Sequence, residues 1–329
     1  MKKIIKPLIL GLALTTGTAI AADNNTTDNH VIRTTLTNAG LTVPIQSIVA
    51  SPISSLTLLT LGNGQEPLLI TDDLQYIIQG NIEPNPSKIL DISKQISTAA
   101  AGTPISNAHK TALLSNMTAL KNIDDDAAFY HTNIKDVLWG VSASGTPFLV
   151  SADGQYFING EISVIKEGRF AGLDNDFETA KNRHVFSKLD EDTLTIYPAK
   201  GQQRAVVYIA TDINCPYCRM FHHKIHEFNT KGITVKAIGY PVYDESHTPM
   251  RQIWCETNNT KRAALLSAAM KGIHGISNAC QNDKNPIKHN QIMAHSLAVI
   301  ATPAIFNEHG DLFQGDFTTD EFLEFLNIK

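Results

Sequence analysis

Alternating hydrophobic and polar residues predict the same short series of elements twice in the first half of the chain. In each set a strand is followed by a glycine-containing turn and a second strand. An Asp-centred turn then leads into a third strand, so that each set predicts a small α+β unit. In the first set the preceding helix is predicted at 30–38, the first strand at 55–61 and the third strand at 75–78. In the second set the helix is predicted at 108–120, the first strand at 136–141 and the third strand at 155–158.

The two sets are copies of one another. Residues 68–82 align with residues 148–162 at an offset of 80, and seven of these fifteen positions are identical. Two copies are too few for a solenoid, so they indicate a duplicated small domain. A lone three-stranded sheet is marginally stable and has open edges, which predicts that each copy pairs with another. The partner copy could belong to a second chain or to the same chain. Because the segment between the copies has a helical pattern at 88–101 that would hold them apart, we favour a homodimer.

From residue 193 the pattern changes to that of an α/β domain. A buried strand at 205–210 leads into Cys215 and Cys218, which open a helix. The elements that follow are a strand at 233–238, helices at 250–255, 260–270 and 291–298, a strand after Thr302-Pro303, a turn, a short strand and a last helix at 319–328. This order is typical of thioredoxin, so the sequence predicts an α/β thioredoxin-like C-terminal domain.

The N-terminus predicts an exported protein. Lys2, Lys3 and Lys6 precede an apolar run that closes on small residues, which predicts a signal peptide cleaved near Ala21 and Ala22. The run is short for a transmembrane helix. Removing three lysines changes the formal charge from −5 to −5 − 3 = −8, which argues against nucleic acid as a partner.

These patterns divide the chain into six segments. They are a signal peptide at 1–21, a first repeat domain at 22–84, a helical linker at 85–104, a second repeat domain at 105–165, a linker helix at 166–192 and the thioredoxin-like domain at 193–329.

The sequence Cys215-Pro216-Tyr217-Cys218 predicts a redox centre. A cysteine at a helix N-terminus has a lowered pKa, because unpaired backbone N–H groups and the helix dipole favour the thiolate. We therefore predict that Cys215 attacks substrate, that Cys218 resolves the mixed disulfide, and that Tyr217 touches substrate. Pro216 suits the first helical turn. The alternatives are a zinc site, for which a second close pair is missing, and an inert disulfide.

The other two cysteines, Cys255 and Cys280, favour a structural disulfide in an exported chain, with a second redox pair as the alternative. In the thioredoxin order, Thr302-Pro303 is expected to be a cis-proline that places backbone beside the nucleophilic sulfur. Thr302 would then contact a bound peptide.

Four further polar residues have two interpretations each. His222, His223 and His226 could act in acid–base chemistry or form a solvated helix face. Asp212 could shift nearby pKa values or cap the turn into the helix.

These residues resemble the periplasmic disulfide isomerase family of DsbC and DsbG. The stretches that carry the resemblance are 211–218, 232–235, Trp254-Cys255, Cys280, 302–304 and the repeated unit at 70–80. The repeat is similar to that family's N-terminal dimerisation domain, a small α+β domain of cystatin-like fold.

The resemblance implies a periplasmic V-shaped homodimer that repairs wrongly paired disulfides in exported proteins and has chaperone activity. It implies no cofactor, and a DsbD-like membrane protein as electron donor. Carried over, Cys215 attacks, Cys218 resolves, Thr302-Pro303 lies on the substrate side, and Cys255 and Cys280 form the structural bridge.

Two departures from the family pattern leave alternatives open. Pro216-Tyr217 is the DsbG-like dipeptide, so substrates could be scrambled disulfides or single cysteines oxidised to sulfenic acid. The duplicated repeat is not the usual single copy, and pairing within one chain would leave a monomer. The alternative functions are a dithiol oxidase of DsbA type and a periplasmic chaperone with vestigial redox activity.

Overall fold

The computed structural model describes residues 26–85, 99–116, 127–142, 145–273 and 286–328. The predicted signal peptide and most of the predicted helix between the copies lie outside these residues. Within them, no helix combines the length and the apolar character needed to cross a bilayer.

In the residues that the structure describes, the N-terminal part consists of two antiparallel sheets and two helices. Its elements are α1 (Thr26–Asn38), β1 (Ile45–Ala50), β2 (Leu56–Leu61), β3 (Leu68–Thr71), β4 (Tyr76–Gln79), β5 (Asn81–Pro84), α2 (Asn107–Asn116), β6 (Ala128–His131), β7 (Val137–Val141), β8 (Pro147–Ser151), β9 (Tyr156–Asn159), β10 (Ile162–Lys166) and β11 (Arg169–Leu173). The three strands predicted for each copy are β2–β4 and β7–β9. Strands β1, β5, β6, β10 and β11 are additional.

The Asp-centred turn has the same hydrogen bonds in both copies. Thr71 Oγ1 donates to Asp73 Oδ1 at 2.5 Å, and the Tyr76 amide donates to Thr71 Oγ1 at 3.1 Å. In the second copy, Ser151 Oγ donates to Asp153 Oδ1 at 2.5 Å and accepts from the following tyrosine amide at 3.0 Å. In both copies a hydroxyl and a carboxylate two residues apart thus close the turn before the third strand.

Each sheet is completed by strands of the other copy. The six-stranded sheet has the order β1-β2-β3-β4-β10-β11, and the five-stranded sheet has the order β5-β9-β8-β7-β6. Strands β10 and β11 of the second copy therefore extend the first copy's sheet, while β5 of the first copy extends the second copy's sheet. The two copies are interleaved by a reciprocal exchange of strands.

The exchange is symmetric in its register. Ile78 of β4 pairs with Ile162 of β10, and Ile158 of β9 pairs with Ile82 of β5. Because each residue of the second pair differs by 80 from its counterpart in the first, the contact has the form of an isologous, two-fold interface.

The expectation that a helical linker holds the copies apart is wrong for the described strands. The pairing lies within one chain, which was the alternative interpretation. The physical reason is that each copy alone leaves the outer edge of its third strand open, and the strand that follows in the other copy satisfies it.

The C-terminal part is a four-stranded sheet with helices on both faces. Its elements are α3 (Asn175–Ser187), β12 (Thr195–Tyr197), β13 (Ala205–Thr211), α4 (Pro216–Thr230), β14 (Ile233–Gly239), α5 (His247–Trp254), α6 (Asn259–Met270), α7 (Pro286–Ser296), β15 (Ala304–Asn307) and α8 (Glu321–Phe325). The strand order is β12-β14-β13-β15, with β13 and β14 parallel. The predicted short strand before the last helix is a single bridge, from Phe306 to Leu312.

Helix α3 joins the two parts. Phe186 stacks on Tyr208 of β13 with ring centroids 4.2 Å apart, and Asn182 donates to the Gly310 carbonyl at 2.9 Å. On the other side, the Phe177 ring lies 6.3 Å from the ring of Trp139 on β7. The predicted linker helix therefore packs against both parts and fixes the C-terminal part on the N-terminal sheets.

Candidate active site

Cys215 lies at the N-cap of α4, directly after the loop that leaves β13. Its sulfur accepts a hydrogen bond from the Cys218 amide at 3.4 Å, and Pro216 occupies the first helical turn, where no N–H is needed. Both cysteines are free thiols and both are buried. The predicted helix N-terminus and its proline are therefore present as expected.

The two sulfurs differ in their affinity for a proton. Hydrogen bonds to Cys215 from the side chains of Cys218 and Thr302 and from the backbone amides of Cys218 and Tyr217 together lower the pKa of Cys215 to about 6, although burial opposes them. Burial, followed by the bond to Cys215, raises the pKa of Cys218 well above its usual range. At neutral pH this arrangement holds a thiolate on Cys215 and a thiol on Cys218.

The Thr302–Pro303 peptide bond is cis and lies beside the first sulfur. Cys215 Sγ donates to the Thr302 carbonyl oxygen at 3.1 Å when it carries a proton. Pro303 directly precedes β15, which is an edge strand of its sheet. The resemblance implied that both residues lie on the substrate side, and the structure brings Thr302 into contact with the sulfur.

Exposed apolar side chains are present on α4, on the loop after β14 and on the turn before Thr302. Tyr217 is 63% exposed and Ile300 is 86% exposed, and Met220 and Val242 are also exposed. This apolar rim, consisting of Tyr217, Met220, Val242 and Ile300, offers a surface to an unfolded chain.

Asp212 holds the loop that carries part of this rim. Its buried carboxylate accepts from the amides of Val242 at 2.6 Å and Tyr243 at 3.1 Å, and from the Asn214 amide at 2.7 Å. The Ser246 hydroxyl donates to it as well. These bonds favour the interpretation in which Asp212 caps the turn into the helix. Asp212 also caps the loop that contains Val242 and Tyr243.

The three histidines of α4 have different environments. His223 and His226 are exposed, and His226 lies 3.2 Å from Lys200 Nζ, so the solvated-face interpretation holds for them. It is wrong for His222, whose Nε2 lies 3.1 Å from Thr211 Oγ1 and whose ring meets Tyr197 edge-on. The reason is the four-residue spacing from Cys218, which turns His222 toward the sheet.

Cys255 forms a disulfide bond at the end of α5. Its predicted partner, Cys280, lies outside the described residues, so the Cys255–Cys280 pairing stays a prediction. In the part of the chain that the structure describes, no three His, Cys, Asp or Glu side chains are grouped so as to hold a metal ion.

Thr211 is a site residue that the sequence did not single out. It is fully buried at the end of β13, and its hydroxyl oxygen lies 3.1 Å from His222 Nε2. A threonine at a strand end is ordinary, and its distance from Cys218 is set by how α4 packs on the sheet. The rim residues Val242 and Ile300 were missed for the same reason.

The chain is similar to known proteins of thioredoxin-like fold and of thiol:disulfide interchange activity. Residues 191–328 match a family model described as a thioredoxin-like domain. The chain is similar to the thiol:disulfide interchange protein DsbC of Dickeya dadantii, with 25% identity over 62% of this chain and 87% of that protein. It is also similar to DsbC of Haemophilus influenzae, with 27% identity over 66% of this chain and 96% of that protein.

Among solved structures, DsbG of Helicobacter pylori is 14% identical and covers 57% of this chain and 90% of that chain, with a TM-score of 0.33. This likeness is too weak to add to the assignment. The matches to the thioredoxin-like domain and to several DsbC proteins, together with the free dithiol at the start of α4, support a thiol:disulfide interchange protein of the DsbC/DsbG type.

Proposed function

We propose that the chain is a periplasmic protein disulfide isomerase and reductase that acts through Cys215 and Cys218. The observation that carries the proposal is the free dithiol whose two sulfurs differ in proton affinity, with Cys215 favouring the thiolate at neutral pH. A thiolate is the attacking species in disulfide exchange, and a protonated partner does not compete with it.

The reaction starts when the Cys215 thiolate attacks one sulfur of a substrate disulfide. A Cys215–substrate bond forms, the substrate disulfide breaks, and the second substrate sulfur leaves as a thiolate. In isomerisation, a substrate thiolate attacks the mixed disulfide and restores the Cys215 thiolate. In reduction, Cys218 attacks Cys215 instead, which releases the substrate dithiol and leaves an oxidised enzyme.

Substrate binding is proposed at Tyr217, Pro216, Thr302 and Pro303, beside the apolar rim. A peptide laid along the Thr302 backbone would bring its disulfide to the Cys215 sulfur, because the Thr302 carbonyl lies 3.1 Å from that sulfur. The exposed rim supports misfolded or misoxidised exported proteins as substrates, since such chains present apolar segments. It also supports chaperone activity.

The isomerase proposal is tested by reactivation of scrambled ribonuclease. We expect the reduced protein to restore ribonuclease activity and Cys215→Ala to abolish the effect. Cys218→Ala is the matched control, because it keeps the attacking thiol and should accumulate mixed disulfide. A wild-type protein that fails here while oxidising reduced peptides efficiently would be a dithiol oxidase of DsbA type.

The oxidase alternative has one observation in its favour. Stabilising the Cys215 thiolate stabilises the reduced enzyme and makes its disulfide a stronger oxidant. The chaperone alternative would be supported by aggregation suppression that survives Cys215→Ala with Cys218→Ala, in a protein without thiol exchange. A DsbD-like donor is proposed as reductant, because an isomerase must be kept reduced.

A homodimer stays part of the proposal, but it would need a surface other than the pairing of the repeats. Strands β1 and β11 form the outer edges of the six-stranded sheet, and Phe170 on β11 is 56% exposed. Light scattering tests this point. A mass of two chains supports the homodimer, and a mass of one chain excludes it and favours the oxidase.

A further inference from the structure

The loop that follows β14 leaves the sheet beside the loop that carries the two cysteines. Strands β13 and β14 are parallel, and their last residues, Thr211 and Gly239, are paired. The Tyr240 amide then donates to the Thr211 carbonyl oxygen at 2.9 Å. Because parallel strands end at the same edge of a sheet, residues 240–246 and residues 212–215 start side by side.

The Asp212 side chain connects these two loops. One oxygen of its fully buried carboxylate accepts from the amides of Val242 at 2.6 Å and Tyr243 at 3.1 Å. The other oxygen accepts from the Asn214 amide at 2.7 Å and from the Ser246 hydroxyl. A carboxylate has two accepting oxygens, whereas the asparagine side chain has only one. The four donors together therefore require an acidic residue.

The backbone of Asp212 contacts the dithiol itself. Its amide donates to the Cys218 sulfur at 3.5 Å, and its carbonyl oxygen accepts from the Cys215 amide at 3.2 Å. No ion pair in the described part of the chain includes Asp212. A buried carboxylate without a cation depends on its hydrogen bonds, so the loop and the carboxylate fix one another.

The part of the loop that faces solvent is apolar. Val242 and Tyr243 are consecutive and each is 43% exposed, while Pro241 before them and Ser246 after them are buried. Both exposed residues have their amides bonded to the same carboxylate oxygen. A segment that is already held in place loses little conformational entropy when it binds a partner, so this pair offers a preformed contact.

We propose that Asp212 is a positioning residue that holds Val242 and Tyr243 as a second substrate contact and so favours polypeptide disulfides over small ones. This inference rests on the proposed function. A polypeptide whose disulfide is at Cys215 can place an apolar side chain on the pair, whereas a small disulfide meets only the sulfur. The contact adds binding energy for one class of substrate and leaves the exchange chemistry unchanged.

The test compares two disulfides with the full-length reduced protein. One is glutathione disulfide, and the other is a synthetic peptide in which leucine and phenylalanine flank an intramolecular disulfide. Exchange is quenched with acid and followed by mass spectrometry at increasing substrate concentration. We expect Val242→Ser combined with Tyr243→Ser to raise the half-saturating peptide concentration about tenfold, because buried apolar area is lost. The limiting rate, and the rate with glutathione disulfide, should stay those of the wild type.

Variants of the buried network test the positioning role. Asp212→Asn turns an amide nitrogen toward N–H or O–H donors and should give the same split between the two substrates. Ser246→Ala removes one of the four donors and should give a smaller split. Both variants keep the Asp212 backbone amide, so the Cys218 sulfur retains that donor and exchange with glutathione disulfide should be unaffected.

Two control variants match these changes elsewhere in the chain. Asp174→Asn alters another buried carboxylate, which accepts from the Phe177 amide at the start of α3 and from Asn133. Val31→Ser removes an apolar side chain that is exposed to a similar degree on α1. Both should keep wild-type values with both substrates.

A wild-type half-saturating peptide concentration in the variant with Val242→Ser and Tyr243→Ser would overturn the inference. Equal losses with both substrates in Asp212→Asn would also overturn it, since they would show a purely structural role. If Asp212→Asn does not fold, Ser246→Ala decides the positioning role. A wild-type protein that does not react with glutathione disulfide would instead overturn the proposed function itself.

Discussion

At the scale of single residues, the site depends on two thiols that sit three positions apart in different surroundings. Cys215 is at the N-cap, where amides and the Cys218 side chain donate to it. Cys218 is one turn inside the helix and faces the core. The difference in proton affinity therefore follows from where each residue lies on α4.

The first prediction concerns the thiolate of Cys215. We expect its alkylation rate to rise with pH around a midpoint of about 6, because hydrogen bonds led by the one from Cys218 lower the pKa of Cys215 to that value. Cys218→Ala removes the largest of these contributions, so its midpoint should move toward that of a free thiol. The measurement is alkylation by iodoacetamide as a function of pH.

The same shift has a consequence for stability with a definite sign. A lowered pKa in the folded state means that the reduced protein gains stability above the pKa of the unfolded thiol. That gain is lost as the pH falls through about 6. A Cys218→Ala midpoint equal to that of the wild type would contradict this account of the thiolate.

The sequence predicted the residues whose environment is local. Cys215, Pro216 and Cys218 were assigned correctly to a helix start because the strand, the motif and the helix are contiguous in the chain. Thr211 and His222 could not be paired in this way. Their contact depends on the angle and depth at which α4 packs on β13, which no local pattern encodes.

At the scale of secondary-structure elements, the crossing between the two copies depends on two equivalent glycines. A Cβ added to Gly80 would lie 1.7 Å from the carbonyl oxygen of Asn159, and one added to Gly160 would lie 2.3 Å from that of Gln79. The backbones approach so closely because β4 ends just before Gly80 and β9 ends just before Gly160, and the next strands, β5 and β10, begin within two residues of these glycines.

The second prediction is that Gly80→Ala and Gly160→Ala each destabilise the protein by roughly 2 kcal/mol or more, since backbone cannot move aside as a side chain can. Gly62→Ala is the control, because its Cβ would meet Pro44 only at an ordinary distance of 3.4 Å. Urea unfolding measures the free energies. Equal midpoints for all three variants would contradict the close approach.

Element prediction from the sequence succeeded where a strand or helix has a full pattern. The linker helix predicted within 166–192 is α3, from Asn175 to Ser187. The exchanged strands were missed, because β5 and β10 follow a glycine after only one or two residues and read as the continuation of the strand before. Their partner is in the other copy, which local alternation cannot identify.

At the scale of the whole molecule, the exchange of strands makes one folded unit from two repeats. Buried residues of both sheets, of α3 and of the thioredoxin-like sheet share one hydrophobic cluster, which includes Ile78, Ile158, Phe177 and Phe306. The dithiol domain is therefore attached to an N-terminal part whose two copies already pair with each other within the chain.

The third prediction tests whether that pairing lies within one chain. Ile77 and Ser163 are opposite each other on β4 and β10. In a background of Cys215→Ala and Cys218→Ala, we expect Ile77→Cys with Ser163→Cys to form a disulfide that leaves the mass of one chain on a non-reducing gel. A covalent band of two chains would show that the strands are exchanged between molecules.

The pairing of Gly80 with Gly160 also bears on how such a protein can change over time. In a symmetric homodimer every substitution is present twice, on both sides of the two-fold axis. Here each side is a separate stretch of one gene product, so one half of the interface can alter while the other is preserved. Strand β11 and helix α3 connect the second copy to the thioredoxin-like domain, and a symmetric pair of identical chains could not have such a connection on one side alone.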